Sequence, residues 1–480
     1  MLATALAAAL FASTATAVPK PVASGAPWTV AERAVLARDL DGLLSRAATV
    51  QGAHAGLLAV ETATGHVLYA RDAGDAFTPA SSFKVLTGSA ALATLGPDFT
   101  FETSVGAASS AAGTRLVLVG GGDALLRASD LEQAAAAVAG AGITSVAGVD
   151  ADASYYDAEG YEPGWSWDDF PYYYAPLVSA LCLEDNVVHA TLTPGAEVGD
   201  RPGLTLQPPA TLAIENRAMT GAPRSPDTVD VAREDATIVF TGSIPQDRVP
   251  EHLDAAVPDP NRYALEVFSD ALVRHGVHID DAASDTIIQQ PHPRAADYRP
   301  LWRHSSAPLA QYLRDFWFPS DNLVGEMLIK ALGVARSGVP GTAEHGAALE
   351  RDWLRGIGVD PARLRIADGS GLSVYDRITP RALVRILQYD WNSPNRDVVL
   401  DALPVAGVRG SMRNDFKGTP AERRVFAKTG TVSYARALAG YLRPRRHGAV
   451  TFAFMLDDWL GEQPGIDSVR TAVLSRMITD

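Results

Sequence analysis

The chain has 480 residues, of which 47% are hydrophobic and 20% are charged, so it can form two or three folded domains and is not a disordered polymer. A formal net charge of −15 argues against a nucleic-acid partner and against docking on anionic lipid. The single cysteine, Cys182, excludes an intramolecular disulfide, and we interpret it as a small buried hydrophobic residue.

The N-terminal segment has the pattern of a secretory signal. An apolar run over residues 2–12 precedes the small-x-small sequence Ala15-Thr16-Ala17. The run is short for a membrane span, and no lysine or arginine precedes it, so a plain apolar tail is the alternative. We predict a signal peptide over residues 1–17 and an exported protein, either periplasmic, secreted or wall-associated. No other stretch is long and apolar enough to indicate an integral membrane protein.

A β-hairpin is predicted next, from β-rich runs at residues 56–61 and 66–70 that flank a Thr64-Gly65 turn. An apolar, helix-friendly run follows and predicts a helix that begins at or near Ser81. Ser81 and Lys84 are three positions apart, so their side chains share one face of that helix. A lysine held neutral by burial and by a second cation can remove the serine proton and create a nucleophile. By itself this pair also fits a solvated helix start.

Residues 101–300 differ from the preceding segment in their pattern of predicted elements, with short β-runs, glycine turns and an alanine-rich helix near residues 131–141. Gly120-Gly121-Gly122-Asp123 lacks the Lys-Ser/Thr pair of a phosphate loop, so we interpret it as a tight turn. Residues 186–248 predict a small all-β unit, and residues 260–277 predict an amphipathic helix. The aromatic and acidic cluster at residues 165–174 fits either a packed interdomain loop or a platform for an extended ligand.

The last third of the chain carries two more polar motifs. A helix through Leu309 and Leu313 is followed by Ser320-Asp321-Asn322, and a new helix is predicted to start at Leu323. The remaining predicted elements are a polar turn at residues 368–373, a helix at 380–389, strands at 425–431, 438–442 and 450–456, and a terminal helix at 466–477.

Three motifs occur in order and each in a fitting context: Ser81-x-x-Lys84 at a helix start, Ser320-x-Asn322 between helices, and Lys428-Thr429-Gly430 on a strand. Together they form the motif set of penicillin-binding proteins and serine β-lactamases. We expect Ser81 to attack an acyl carbonyl, with neutral Lys84 as the base. Ser320 can relay the proton towards the leaving amine.

The other motif residues suit substrate binding. Asn322 can hold the substrate backbone and fix Lys84, while Lys428 keeps the local field positive. Lys428 and the hydroxyls of Thr429 and Thr431 suit a terminal carboxylate. Gly430 is expected to let the substrate lie against the strand edge. The backbone N–H groups of Ser81 and Thr431 are the expected oxyanion donors, one such donor being worth about 2.7–4 kcal/mol of barrier.

The chain resembles the class C low-molecular-mass penicillin-binding proteins, the DD-carboxypeptidase/endopeptidase family of peptidase family S13. About 240 residues separate Ser81 from Ser320, far more than in a class A β-lactamase, so a large insert divides the first two motifs. Residues 175–181, 368–373, 403–407 and 428–431 support the resemblance. Two stretches depart from it: Val374-Tyr375-Asp376 stands where the family tends to have a basic residue and asparagine, and Gly410-Ser411-Met412 where it usually has Gly-Thr-Leu.

The resemblance implies an α+β penicilloyl serine transferase fold, in which an antiparallel sheet has helices on both sides and two smaller inserted domains rich in β interrupt the chain. The catalytic domain would comprise residues 28–101 and 300–480. Inserted domain II would comprise residues 102–183 and 260–299, and inserted domain III residues 184–259.

The implied activity is cleavage of the terminal D-Ala-D-Ala bond of peptidoglycan stem peptides through an acyl-enzyme on Ser81. Endopeptidase action on DD cross-links is the related activity, and β-lactams would be covalent inhibitors. Neither a metal nor another cofactor is implied. The expected substrate-binding residues are Thr429, Gly430, Thr431, Ser370, Trp165 and Tyr173.

Two alternatives stay open at this point. One is a serine β-lactamase or a D-amino-acid amidase or esterase of the same fold, although no Glu-x-x-x-Asn loop of the class A deacylation type is evident. The other is a catalytically silent wall-binding relative. The intact motif residues argue against a silent relative, unless their side chains point away from a common cleft.

Overall fold

The structure, a computed structural model, describes residues 18–22, 24–46, 52–111, 113–209, 212–280, 285–292, 295–459 and 463–479, so the expected signal peptide at residues 1–17 lies outside the described residues. The helices of the described part are α1 Val30–Arg46, α2 Lys84–Thr94, α3 Ala128–Gly140, α4 Pro260–Arg274, α5 Leu309–Trp317, α6 Asn322–Ser337, α7 Ala343–Gly356, α8 Pro380–Asn392, α9 Arg396–Ala402 and α10 Gln463–Thr479. Its strands are β1 His54–Glu61, β2 Val67–Arg71, β3 Glu102–Ser110, β4 Gly113–Val119, β5 Ser145–Val146, β6 Gly148–Asp152, β7 Val187–Thr193, β8 Gly203–Gln207, β9 Ile214–Asn216, β10 Met219–Gly221, β11 Asp230–Glu234, β12 Thr237–Thr241, β13 Ser243–Pro245, β14 Glu251–Ala256, β15 His278–Ile279, β16 Ile287–Ile288, β17 Arg299–Ser305, β18 Val425–Val432, β19 Ala435–Leu442 and β20 Val450–Asp457.

A five-stranded antiparallel sheet with the order β18-β19-β20-β1-β2 joins the two ends of the chain. The predicted hairpin supplies β1 and β2, and β1 also pairs with β20 along its whole length. β18 is the opposite edge strand, and Lys428 lies opposite Ala439 of β19. The edge position of β18 leaves one side of the strand without a sheet neighbour, and there it lies against the turn that contains Ser81.

Hydrophobic layers cover both faces of this sheet, because successive side chains of a strand point to opposite sides. Leu57 of β1 packs on one face in a cluster that includes Leu36 of α1 and Val473 of α10. Leu58 packs on the other face in the larger cluster, which includes Leu86 of α2 and residues of α6 and α8. The expected antiparallel sheet with helices on both sides is therefore confirmed.

A second five-stranded sheet, with the order β16-β6-β4-β3-β17, is formed by the chain between the first two motifs. β17 pairs with β3 from Arg299 to Ser305, so this strand extends past residue 300, where the sequence analysis placed the return to the catalytic domain. The buried Cys182 belongs to the core of this region, as predicted. We propose that the three-domain division holds with this return placed after Ser305.

Smaller sheets follow in the part predicted to be all-β. They have the orders β14-β7-β8, β11-β12-β9 and β10-β13. Pro260 begins α4, but this helix ends at Arg274, three residues earlier than the predicted limit of residue 277. In the described ranges, no helix combines the length and the apolar character needed to cross a membrane.

Candidate active site

Ser81 lies in a short 3₁₀ turn, Ala80–Phe83, and α2 begins directly after it at Lys84. The preceding residue, Ala80, has a φ of 46°, a left-handed conformation that is costly for a residue with a Cβ. Two neighbours hold this turn in place. A Cβ on Gly430 would lie 2.2 Å from the carbonyl oxygen of Pro79, and a Cβ on Gly371 would lie 2.1 Å from that of Ala80. Both glycines are therefore required for close backbone packing around the serine.

Lys84 is fully buried and its ammonium group has three acceptors, one for each N–H that it carries. Nζ donates to Ser81 Oγ at 2.9 Å, to Asn322 Oδ1 at 2.5 Å and to the carbonyl oxygen of Ser370 at 2.8 Å. Burial lowers the pKa of Lys84 to about 8, although nearby carboxylates, above all Asp368, oppose that shift. A substantial fraction of Lys84 is thus neutral near physiological pH.

Ser320 and Lys428 form a second pair. Lys428 Nζ donates to Ser320 Oγ at 2.8 Å and to the carbonyl oxygen of Thr429 at 3.0 Å. Burial, and after it the charge of Lys84, holds the pKa of Lys428 well below its usual range. Ser320 lies between α5 and α6 and has a φ of 70°, a left-handed conformation that is uncommon for a residue with a Cβ. The two lysines therefore each contact a serine hydroxyl and influence each other electrostatically.

Asn322 is the first residue of α6 and connects this helix to two other segments. Its Oδ1 accepts from Lys84, and its Nδ2 donates to the carbonyl oxygen of Tyr174 at 2.7 Å. Asp321 caps the helix by accepting from the Val324 N–H at 3.1 Å. The cap fixes the start of α6 and with it the position of the Asn322 amide.

The residues of the strand motif, 428–431, differ in their exposure and in the groups that they contact. Lys428 and Gly430 are buried, Thr429 is half-buried and Thr431 is exposed. The Thr429 hydroxyl is 2.8 Å from that of Ser411. Gly430 was expected to admit substrate to the strand, but its contact is with Pro79, so the space beside its Cα is filled by the nucleophile turn.

Ser370 differs from its expected role as a substrate-binding side chain. It is fully buried, and its hydroxyl is 3.3 Å from Asp368 Oδ2 and accepts from the Leu372 N–H. Its carbonyl oxygen, not its hydroxyl, reaches the site by accepting from Lys84. The side chain is used inside the polar turn, and the main chain serves the lysine.

The fold buries one part of the aromatic cluster at residues 165–174 and exposes another. Trp165 is buried and its Nε1–H donates to Asp368 Oδ2 at 2.9 Å, so its ring is part of the packed loop and not a free platform. Tyr173 is 61% exposed and directly precedes Tyr174, whose carbonyl oxygen binds Asn322. The Trp165 ring is therefore packed within the loop, and the Tyr173 ring is exposed.

Asp368 and Tyr174 are polar groups of this region to which the sequence analysis gave no role. Asp368 is visible in the sequence only as part of an Asp-Gly-Ser-Gly turn, and Tyr174 contributes a carbonyl oxygen that no side-chain pattern marks. Within the described part of the chain, no group of three or more His, Cys, Asp or Glu side chains is placed to hold a metal ion.

The chain is similar to known proteins over most of its length. The model of the D-Ala-D-Ala carboxypeptidase 3 (S13) family matches residues 36–474. The chain is 37% identical over 449 residues to a D-alanyl-D-alanine carboxypeptidase of Actinomadura sp. (strain R39), covering 89% of this chain and 82% of that protein. It is 23% identical to D-alanyl-D-alanine carboxypeptidase DacB of Haemophilus influenzae, covering 85% and 86%. The crystal structure of penicillin binding protein 4 (dacB) from H. influenzae matches with a TM-score of 0.80 at 21% identity, covering 92% of this chain and 99% of that one.

The fold is that of the penicilloyl serine transferases, and a serine and a buried lysine meet at its edge strand. The chain belongs to the D-Ala-D-Ala carboxypeptidase 3 (S13) family and is a serine DD-peptidase. The family and the activity expected from the resemblance are confirmed.

Proposed function

We propose that this DD-peptidase removes the terminal D-alanine from peptidoglycan stem peptides that end in D-Ala-D-Ala, through an acyl-enzyme on Ser81. The observation that carries the assignment of roles is the 2.9 Å contact between Lys84 Nζ and Ser81 Oγ. A candidate base must lie within hydrogen-bond reach of the proton it removes and must have a pKa near the working pH. Lys84 meets both conditions, since its pKa is lowered to about 8.

The acylation step uses the first motif. Neutral Lys84 takes the Ser81 proton as Oγ attacks the carbonyl carbon of the penultimate D-alanine. The oxyanion formed there accepts from the backbone N–H groups of Ser81 and Thr431, the arrangement that lowers the barrier of acyl transfer most. The packing of Gly430 on Pro79 supports this placement, because it brings the edge strand and the nucleophile turn into direct contact.

Ser320 and Lys428 complete the acylation step. Ser320 relays the proton that Lys84 took from Ser81 to the nitrogen of the departing D-alanine, which leaves Lys84 neutral again, and the neighbouring Lys428 supplies the positive field for that transfer. Collapse of the tetrahedral intermediate breaks the peptide bond and leaves the acyl group on Ser81. Water then attacks the ester, with Lys84 again as the base, and releases the shortened peptide.

Substrate recognition is assigned to the edge strand and to the exposed tyrosine. The terminal carboxylate binds Lys428 and the hydroxyls of Thr429 and Thr431, the donor set that suits a carboxylate. Tyr173 contacts the stem peptide beyond the scissile bond, which its exposure and its link to Asn322 through Tyr174 support. A second stem peptide in place of the terminal D-alanine gives the related endopeptidase reaction on DD cross-links.

Two wider assignments follow from the same proposal. β-Lactams acylate Ser81, because they present a strained amide and a carboxylate to the same groups. The protein works outside the cytoplasmic membrane, where its substrate lies, and the apolar run before residue 18 supports export.

The convergence of Ser81, Lys84 and Asn322 in one hydrogen-bonded set supports an active enzyme over the silent wall-binding relative.

The proposal is tested by release of the terminal alanine from a synthetic tripeptide ending in D-Ala-D-Ala, with a peptide ending in D-Ala-L-Ala as the matched control. Wild type should release the terminal alanine from the first peptide alone, and Ser81→Ala should release none from either. Equal cleavage of both peptides would indicate a general amidase. Turnover of a chromogenic cephalosporin that exceeds peptide cleavage would indicate a β-lactamase.

A further inference from the structure

Three carboxyl groups are buried close to Lys84. Asp368 and Asp376 belong to the loop that contains Ser370, Glu326 lies on α6, and all three are fully buried. All three interact electrostatically with the Lys84 ammonium. Burying three adjacent negative charges is prohibitively costly, so the protons must be distributed unevenly among them.

Asp368 is surrounded by the hydrogen-bond donors that an ionised carboxylate needs. Oδ1 accepts from the N–H groups of Ser370 at 3.0 Å and Gly371 at 2.6 Å, and Oδ2 accepts from the N–H of Ser373 at 2.7 Å and from Trp165 Nε1 at 2.9 Å. These four neighbours are donors that cannot accept, and the Ser370 hydroxyl also lies 3.3 Å from Oδ2. A proton on either oxygen would face an N–H, whereas the charged form is favoured by several such donors.

The other two carboxyl groups lack this set of donors. From backbone N–H groups, Glu326 accepts at 2.9 Å from Gly369 and Asp376 accepts at 2.7 Å from Ala367. Asp376 also has a side-chain hydrogen bond with Asp368, and Glu326 has one with Ser370. Burial, and next the charge of Asp368, raises the pKa of both groups well above the usual range. Both therefore keep their protons to higher pH than an exposed carboxyl group does.

We propose that Asp368 is a positioning residue for Lys84, which holds the single negative charge of these three carboxyl groups and fixes the loop that binds the lysine. The inference rests on the proposed role of Lys84 as the base. Asp368 folds the loop around its own carboxylate, and this directs the Ser370 carbonyl oxygen to Lys84 Nζ at 2.8 Å. The loop also packs tightly on α6, since a Cβ on Gly369 would lie 2.2 Å from the Gly325 carbonyl oxygen.

The negative charge of Asp368 also affects the protonation of Lys84. An anion near a buried ammonium group favours its charged form, which opposes the effect of burial. Asp368 thereby keeps Lys84 able to accept and to release a proton near neutral pH, the range in which a general base is most effective. Without this anion, Lys84 would be neutral at lower pH and would be a weaker base.

Other titratable groups also lie near Lys84 or Asp368. Asp321 precedes α6, and burial raises its pKa, while burial and the Lys84 charge lower the pKa of Lys428 on β18. Glu162 faces Asp368 but lies 3.2 Å from Lys330, which offsets its charge. Glu350 is buried and neutral, because burial raises its pKa to about 8.

The test compares three isosteric variants, Asp368→Asn, Glu326→Gln and Asp376→Asn. The rate of Ser81 acylation by a fluorescent penicillin is measured as a function of pH on both sides of pH 8, and the midpoint of the rise is compared with wild type. Asp368→Asn should move the midpoint to lower pH by about one unit or more and lower the plateau rate. Glu326→Gln and Asp376→Asn mimic the neutral acids and should keep the wild-type midpoint.

An unchanged midpoint in folded Asp368→Asn, or an equal shift in either control variant, would overturn the inference. Infrared spectra supply a test that does not need Asp368→Asn to fold. Glu326→Gln and Asp376→Asn should each remove a carboxylic-acid C=O band at neutral pH, and persistence of both bands would also overturn it. Absence of any acylation in wild type would instead contradict the proposed function, so the two failures are distinguishable.

Discussion

Lys428 donates to the Ser320 hydroxyl across 2.8 Å, and this contact joins the edge strand of the main sheet to the loop between α5 and α6. The ammonium group is fully buried and has the Thr429 carbonyl oxygen as its other acceptor. A carboxylate bound beside this lysine favours its charged form, so the position is suited to recognise the carboxylate at the end of a peptide chain.

Replacing Lys428 by glutamine should therefore remove the preference for a free C-terminal carboxylate. Glutamine can still donate to Ser320 but carries no charge. Hydrogen bonds to charged groups are worth about 1.5–3 kcal/mol, so kcat/KM for the acid should fall about 10–100-fold. The measurement compares kcat/KM for a D-Ala-D-Ala peptide with that for its C-terminal amide. Equal losses for both substrates would contradict carboxylate binding by Lys428.

Gly430 should tolerate no side chain, because its Cβ would lie 2.2 Å from the Pro79 carbonyl oxygen. Gly430→Ala must push β18 away from the Ser81 turn, and a displacement of about 1 Å at a reacting centre costs on the order of 100-fold in rate. Acylation by penicillin is the measurement. Gly140→Ala at the end of α3, where a Cβ would meet no atom within 4 Å, is the matched control and should retain the wild-type rate. A wild-type rate in Gly430→Ala would show that the turn and the strand move independently.

The three motifs could be recognised in the sequence because their spacing and local context are specified by side chains. The contacts that complete the site are different in kind. The carbonyl oxygens of Ser370 and Tyr174 bind Lys84 and Asn322, and backbone atoms leave no residue pattern to read. The contact of Gly430 could not be predicted for the same reason, since only the fold shows that the Pro79 backbone occupies the space beside this glycine. Trp165 was ambiguous because its partner, Asp368, lies 203 residues away in the chain.

Trp165 and Tyr173 should respond differently to substitution. Tyr173→Ala removes an exposed ring and should raise KM several-fold for long stem peptides but little for a short tripeptide. Trp165→Phe removes one donor to the buried Asp368 carboxylate and should cost about 1.5–3 kcal/mol of unfolding free energy. Its effect on KM should be the same for both peptide lengths. Steady-state kinetics with the two peptides and denaturant unfolding separate these roles, and a length-dependent KM in Trp165→Phe would contradict the assignment.

A buried aspartate outside the catalytic set should make stability depend on pH. Asp390 accepts from the Ser89 hydroxyl at 2.7 Å, and burial raises its pKa to about 7, compared with 3.8 for an exposed aspartate. The folded state keeps the proton that the unfolded state loses, so the stability present below pH 3.8 is lost as the pH rises to about 7. Asp390→Asn should therefore stabilise the protein above pH 7 by about 2–4 kcal/mol and have little effect near pH 4.

Denaturant unfolding at the two pH values measures this effect, with the exposed Asp98→Asn as the control that should show no pH-dependent gain. A gain for Asp390→Asn of the same size at both pH values would mean that the carboxyl group does not titrate as stated.

The central claim, an acyl-enzyme on Ser81, is tested most directly by labelling with a fluorescent penicillin, wild type beside Ser81→Ala, followed by intact mass. The account predicts a stable one-to-one adduct on wild type, located on the peptide that contains Ser81, and none on Ser81→Ala. An adduct of equal yield on both proteins, or no adduct on folded wild type, would contradict it.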